Sequence, residues 1–189
     1  MTKRAYIRAL LVYSFYLLLF FAIQSTWPTT SLAQTVKPNF LLVFAVISAY
    51  QFGYKDAIVI GMIAGFLLDY MAGRLIGIGM LILLFTALIA AELFRRNLTR
   101  SILPAIMTTV ICTSIYELST RVVLWLVLWL DNAHVTQVSF LLQAASVTRA
   151  ILMNLAILIP IFVLVRYFGP YKRSIGYGHV DRKGDDIRW

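Results

Sequence analysis

The sequence predicts an all-α polytopic membrane protein with six transmembrane helices, two of them short. Three observations carry that expectation. Of 189 residues 61% are hydrophobic and only 13% charged, with a mean hydropathy of +0.84. A soluble domain of this size has too little interior to hide so much apolar surface, so a bilayer must be the solvent. The apolar residues fall into six runs separated by polar breaks, and the basic residues gather at one set of run ends.

Each run can be justified in turn against the ~20 helical residues needed to cross ~30 Å of hydrocarbon. The first covers about residues 9–25 and the second 39–52, after a polar loop (STWPTTSLAQTVKP). GYKD interrupts the apolar stretch before the third run, 56–72. The fourth covers 75–94, the fifth 101–130 and the sixth 139–168, leaving a Gly-rich, charged tail, 169–189, expected to be poorly ordered. Runs two and three span only about 21–25 Å each at 1.5 Å per residue. A re-entrant hairpin is the rival, but it would place Lys55 and Asp56 near the bilayer midplane, where charge is costly. Lys3-Arg4, an apolar core and Ser31-Leu32-Ala33 also resemble a signal peptide, yet the small residues lie far from the core. An uncleaved anchor is expected.

The formal charge is +9. Its placement points to topology rather than nucleic acid: Lys3, Arg4 and Arg8 precede the first run, Arg95, Arg96 and Arg100 follow the fourth, and Arg166, Lys172, Arg173, Arg182, Lys183 and Arg188 close or follow the sixth. The positive-inside rule then puts both termini in the cytoplasm, with Lys37 and Arg74 outside. Arg95, Arg96, Arg100, Lys172 and Arg173 form a cytoplasmic basic surface that can also gain about 1 kcal/mol per residue against anionic lipid. Tyr6, Trp27, Trp125 and Trp129 are candidates to set depth in the interface.

Signatures of catalysis are missing from the sequence. There is no HExxH pair for zinc and no GxSxG elbow, and His134 and His179 have no second ligand at metal spacing. Asn97-Leu98-Thr99 is a chance sequon on the cytoplasmic side. The single cysteine, Cys112, excludes an intrachain disulfide. Neither a cofactor nor a metal is expected.

Two constellations stand out. In GMIAGFLLDYMAGRLIG, Gly61, Gly65, Asp69, Gly73 and Gly77 recur every four residues. Successive steps of four drift by about 40° around a helix, so Ala57, Gly61 and Gly65 line a smooth small-residue groove. Another helix can approach closely there, from within the chain or from a partner. Asp69, a turn later, can reach interfacial water or cap the following turn, a reading preferred to an ion site. The second constellation is Glu117 and Arg121, i and i+4 on run five, with Arg149 on run six. Charges near the centre of a spanning helix cost roughly 2.5–3.5 kcal/mol each if left facing lipid, so these are expected to be paired. In order of preference, they are internal glue between the last two runs, snorkelling arginines, or an outward-facing polar pocket for an anion.

The stretch KPNFLLVFAVISAYQFGYKDAIVIGMIAGFLLDYMAGRLIG resembles the central region of the rod shape-determining protein MreD family. Lys37, Pro38 and Asn39 match the opening of that family's second span, and Gly61, Gly65, Asp69, Gly73 and Gly77 match its Gly-x3-Gly-x3-Asp segment and glycine turn. The resemblance implies a fold like the substrate-binding subunits of energy-coupling-factor transporters. It also implies a place in the bacterial inner membrane as a non-catalytic scaffold of the cell-elongation complex that makes peptidoglycan. The partners it implies are a bitopic MreC-like protein, with a RodA-type glycosyltransferase, a penicillin-binding transpeptidase and actin-like MreB alongside. A small-molecule-binding or transporter subunit, using Arg121, Arg149, Glu117 and Asp69, is the alternative, and an enzyme acting on lipid-linked substrates comes third.

Overall fold

The computed structural model describes residues 3–27, 37–73, 77–96, 102–130 and 140–170. Among them are six helices: α1 (Lys3–Thr26), α2 (Phe40–Phe52), α3 (Tyr54–Ala72), α4 (Ile78–Arg96), α5 (Ile102–Leu130) and α6 (Phe140–Phe168). Each falls within a few residues of an apolar run. Helices α1 and α4 extend beyond their runs into the flanking Lys and Arg residues, which are good helix formers.

Helix α2 is the axis of the bundle. FLLVFAVISAYQF has no polar face, and Phe40 through Gln51 are all buried. A helix that is apolar all round needs cover on every side, and α2 touches all five other helices. Aromatic rings fill its boundary with α1, where Phe44 lies 5.2 Å from Phe20 and 5.7 Å from Tyr16, and Phe40 lies 5.5 Å from Trp27. The short second run is therefore short because it is enclosed by protein.

Capping residues fix where α2 starts and stops. The Asn39 side chain accepts from the Leu42 amide at 3.0 Å, satisfying a first-turn donor. At the other end Gly53, with φ 94°, donates to the Ala49 carbonyl at 2.9 Å and turns the chain directly into α3. Tyrosines tie this end together. Tyr13 of α1 donates to Asp56 in the first turn of α3 at 2.8 Å, and Tyr54 hydrogen-bonds Glu92 of α4. Tyr16 donates to the Phe168 carbonyl at 3.2 Å, closing α6 against α1.

Three helical segments among the described residues are long and apolar enough to cross a membrane: Ile7–Thr26, Ile102–Val123 and Ala145–Phe168. Phe40–Phe52 and Ile78–Leu93 are apolar but shorter. Lys55, Asp56 and Asp69 interrupt the apolar character of α3.

This packing predicts a sharp contrast between the axis and the periphery. Ile47→Ala, at a fully enclosed position, should cost about 2–5 kcal/mol. Ile63→Ala, on the outward face of α3, should cost less than about 1 kcal/mol, as substitutions outside the core generally do. Chemical denaturation of the detergent-purified protein, followed by helical circular dichroism, checks the difference.

Candidate functional site

The glycine ladder divides into two parts with different work. Ala57, Gly61, Ala64 and Gly65 are buried on one face of α3, and that face receives α4 of the same chain. A Cβ built at Gly61 would sit 3.1 Å from the Leu84 Cα and 3.2 Å from the Ala87 Cβ. One at Gly65 would collide with the Met80 backbone and lie 3.0 Å from the Gly79 carbonyl oxygen. The groove read from the sequence as open to either an internal helix or a partner is thus filled from within.

Gly73 and Gly77 flank the turn, where a Cβ at either would meet no atom within 4 Å. Their positive φ angles, 59° and 118°, are what the turn requires. The separation is geometric, since four steps of about 40° carry Gly73 well away from the face begun by Ala57.

Asp69 joins these two parts. It is buried, with 4% of its surface exposed. One carboxylate oxygen, Oδ2, accepts from the Gly77 amide at 2.8 Å and the Met80 amide at 3.1 Å, and Oδ1 accepts from the Gly79 amide at 2.8 Å. These donors belong to the start of α4, where helical amides have no intrahelical acceptor and the helix dipole favours negative charge. Both oxygens are engaged by backbone, so the carboxylate acts as a cap reaching across a hairpin. Gly79 is part of the same device, because a Cβ there would occupy the position of the Asp69 carboxylate. The sequence reading passed over Gly79; its signal was the Gly77-Ile78-Gly79 doublet, in which only one glycine is needed for the turn.

A second polar link was also missed. Asn154 of α6, 2% exposed, accepts from the Asn39 amide at 2.8 Å through Oδ1 and donates to Thr113 Oγ1 of α5 at 3.2 Å. It joins the start of α2 to both α5 and α6. An asparagine amid LMNLAIL is a recognisable sign of interhelical hydrogen bonding.

Of the expected three-residue cluster, the Glu117–Arg121 pair is formed. Arg121 Nη2 contacts Glu117 Oε2 at 3.2 Å and donates to Ser146 Oγ of α6 at 2.8 Å. Ser146, which sequence reasoning did not single out, provides a second described link between α5 and α6, beside that of Asn154 to Thr113. Arg149 is exposed one turn further along, and its Nε donates to the Ala145 carbonyl at 3.2 Å. Arg121 Nη1 is buried without a hydrogen-bond partner.

Of the basic surface, Arg95 and Arg96 end α4, but their side chains lie outside the described residues, as do Arg100, Lys172 and Arg173 altogether. Trp129 and Tyr6 likewise have side chains outside that set. Among the described residues no three His, Cys, Asp or Glu side chains gather as metal ligands.

An all-helical bundle with long apolar segments, in which buried Asp69 and Asn154 join one helix to another, defines a helical membrane protein. The comparison with protein families gives the particular kind: the model of the rod shape-determining protein MreD matches residues 3–168, from the first turn of α1 to the end of α6. The chain belongs to the MreD family. No curated protein and no solved structure matches it.

The hairpin geometry predicts an order of damage. Asp69→Ala should destabilise the protein by roughly 2–4 kcal/mol, since several buried donors lose a charge-assisted acceptor. Gly79→Ala should approach that loss by displacing the carboxylate. Gly65→Ala should cost about 1–3 kcal/mol through overpacking, and more than Gly61→Ala, whose neighbours lie farther away. Melting curves of the variants in one detergent test the order.

Proposed function

We propose that this protein is a non-catalytic membrane scaffold of the bacterial cell-elongation complex, crossing the inner membrane six times with both termini in the cytoplasm. It docks a single-span MreC-like protein and works alongside a RodA-type glycosyltransferase, a penicillin-binding transpeptidase and actin-like MreB. The carrying observation is the family match over residues 3–168, which ties the whole bundle to rod shape. The packing is in keeping with it. The polar side chains of α3, α5 and α6 named above fasten helices to one another, while Phe15, Ile63, Phe66 and Leu118 face outward. A body of this kind offers helix faces to a neighbouring helix in the bilayer.

Because the Gly61–Gly65 groove holds α4, a single-span partner has to meet an outer face. A photo-crosslinking residue placed in turn at Phe15, Met62, Phe66 and Leu118, all outward-facing, should capture the MreC-like protein from native membranes at one helix and not at the others. Capture at none of them rejects docking. Loss of the protein should turn rod-shaped cells round while the purified wall synthases remain active; cells that keep their shape reject the scaffold.

A further inference from the structure

We propose that the outer face of the α3–α4 hairpin is a binding surface for phospholipid with short acyl chains, and draws the bilayer thin where it meets longer ones. The face is too short for an ordinary bilayer. Helix α3 has Asp56 in its first turn and Asp69 near its end, thirteen residues later. Helix α4 runs back from Gly79, whose amide Asp69 receives, to Glu92, again thirteen residues. At 1.5 Å per residue each length is ~20 Å, against ~30 Å of hydrocarbon. Any tilt shortens it further. Among the described residues, α1, α5 and α6 hold apolar segments of 20, 22 and 24 residues long enough to cross a membrane, and α3 and α4 hold none. The reduced height therefore belongs to the hairpin.

The polar limits of this belt are fixed by contacts. At one level Asp56 accepts from Tyr13 of α1 at 2.8 Å, and Glu92 hydrogen-bonds Tyr54. At the other, both Asp69 oxygens are held by backbone amides. A long, free lysine or arginine can bend towards distant water, but a short carboxylate engaged in this way cannot. Helix α1 shows the size of the step beside it. Ile7, Leu10 and Leu11 are exposed, so its apolar surface continues six residues past Tyr13, ~9 Å beyond the level of Asp56. Since the protein cannot move its own charges outward, the lipid has to come inward to meet them.

The surface between those limits is made for acyl chains. Ile58, Met62, Ile63 and Phe66 are exposed along α3, and Leu81 and Phe85 continue the face on α4. Tyr54 and Tyr70, 41% and 67% exposed, stand at its two ends, as aromatic residues do at the level of lipid headgroups. They are sixteen residues apart, ~24 Å along the helix, which again falls short of an ordinary bilayer. Proteins that each thin the membrane disturb less of it when they adjoin, so the same face favours neighbours with short spans.

The test places a fluorophore on the full chain at Ile63→Cys in α3 or at Met107→Cys, an exposed position in α5, each with Cys112→Ser. The protein is reconstituted into phosphatidylcholine vesicles of one chain length, from fourteen to twenty-two carbons, and competitive quenching by brominated lipid gives relative binding at each label. At Ile63 the fourteen-carbon lipid should bind several-fold better than the twenty-two-carbon lipid, whereas the optimum at Met107 should lie at eighteen carbons or more. Lys55→Leu with Asp56→Asn lengthens the belt and keeps an acceptor for Tyr13, so it should move the Ile63 optimum to longer chains. Should that variant fail to fold, the two labels decide alone. No preference at Ile63, or an optimum there of eighteen carbons or more, overturns the proposal. The same short optimum at Met107 overturns its assignment to the hairpin. A label at Ile63 that no lipid quenches shows a second copy covering the face, and overturns it too. The measurement contains no partner protein, so its outcome is independent of the scaffold reading.

Discussion

The capping of α4 by Asp69 is the interaction on which the arrangement of the bundle rests. A helix beginning inside an apolar body brings several amides with no acceptor, and neither lipid nor packed hydrocarbon can supply one. Here one carboxylate takes three of those donors. Because Asp69 belongs to the last turns of α3, the same contact fixes where the α3–α4 hairpin turns and how its two helices are registered. The glycines follow from that register. Only with α4 drawn this close must Gly61 and Gly65 lack side chains, and only with the carboxylate in this position must Gly79 lack one.

The hairpin in turn makes the enclosure of α2 possible. Two helices held at small-residue separation form a compact wall along α2, and α5 and α6 close the other side. Asn154 provides the matching fastening there, joining the start of α2 to α5 and α6. Both ends of the axial helix are thus defined by polar contacts while its length is held by apolar packing. In a bilayer this division is expected. Burial against lipid gives little preference for one helix pairing over another, so hydrogen bonds and close small-residue contacts must select the arrangement.

Much of this was legible in the sequence, because its physics is local. Apolar runs and polar breaks located six helices to within a few residues, and the family segment stood out at residues 37–77. The interval of four among the glycines marked Ala57, Gly61 and Gly65 as a small-residue surface, and α4 lies against it. It could not say what filled the surface, since an internal and an external helix demand the same small residues. The ladder also implied one face where there are two functions, because periodicity carries no information about where the helix ends. Asn154 and Ser146 were overlooked for a related reason. A single uncharged polar residue in an apolar run gains its meaning from the residue opposite, and that residue lies far away in sequence.

The charged residues of α5 and α6 extend this reasoning to a place where the internal accounting does not close. At Asp69 the acceptors and donors match, and the site is complete without any ligand. At Arg121 they do not: one nitrogen is shared between two acceptors while another, buried, has none. Ser48 Oγ and Gln51 Nε2 of α2 are likewise buried without a partner, so incomplete pairing occurs at several points among the described residues. The two places thus differ in hydrogen bonding: the carboxylate of the glycine hairpin is engaged through both oxygens by backbone amides, whereas the guanidinium of α5 is engaged through one nitrogen.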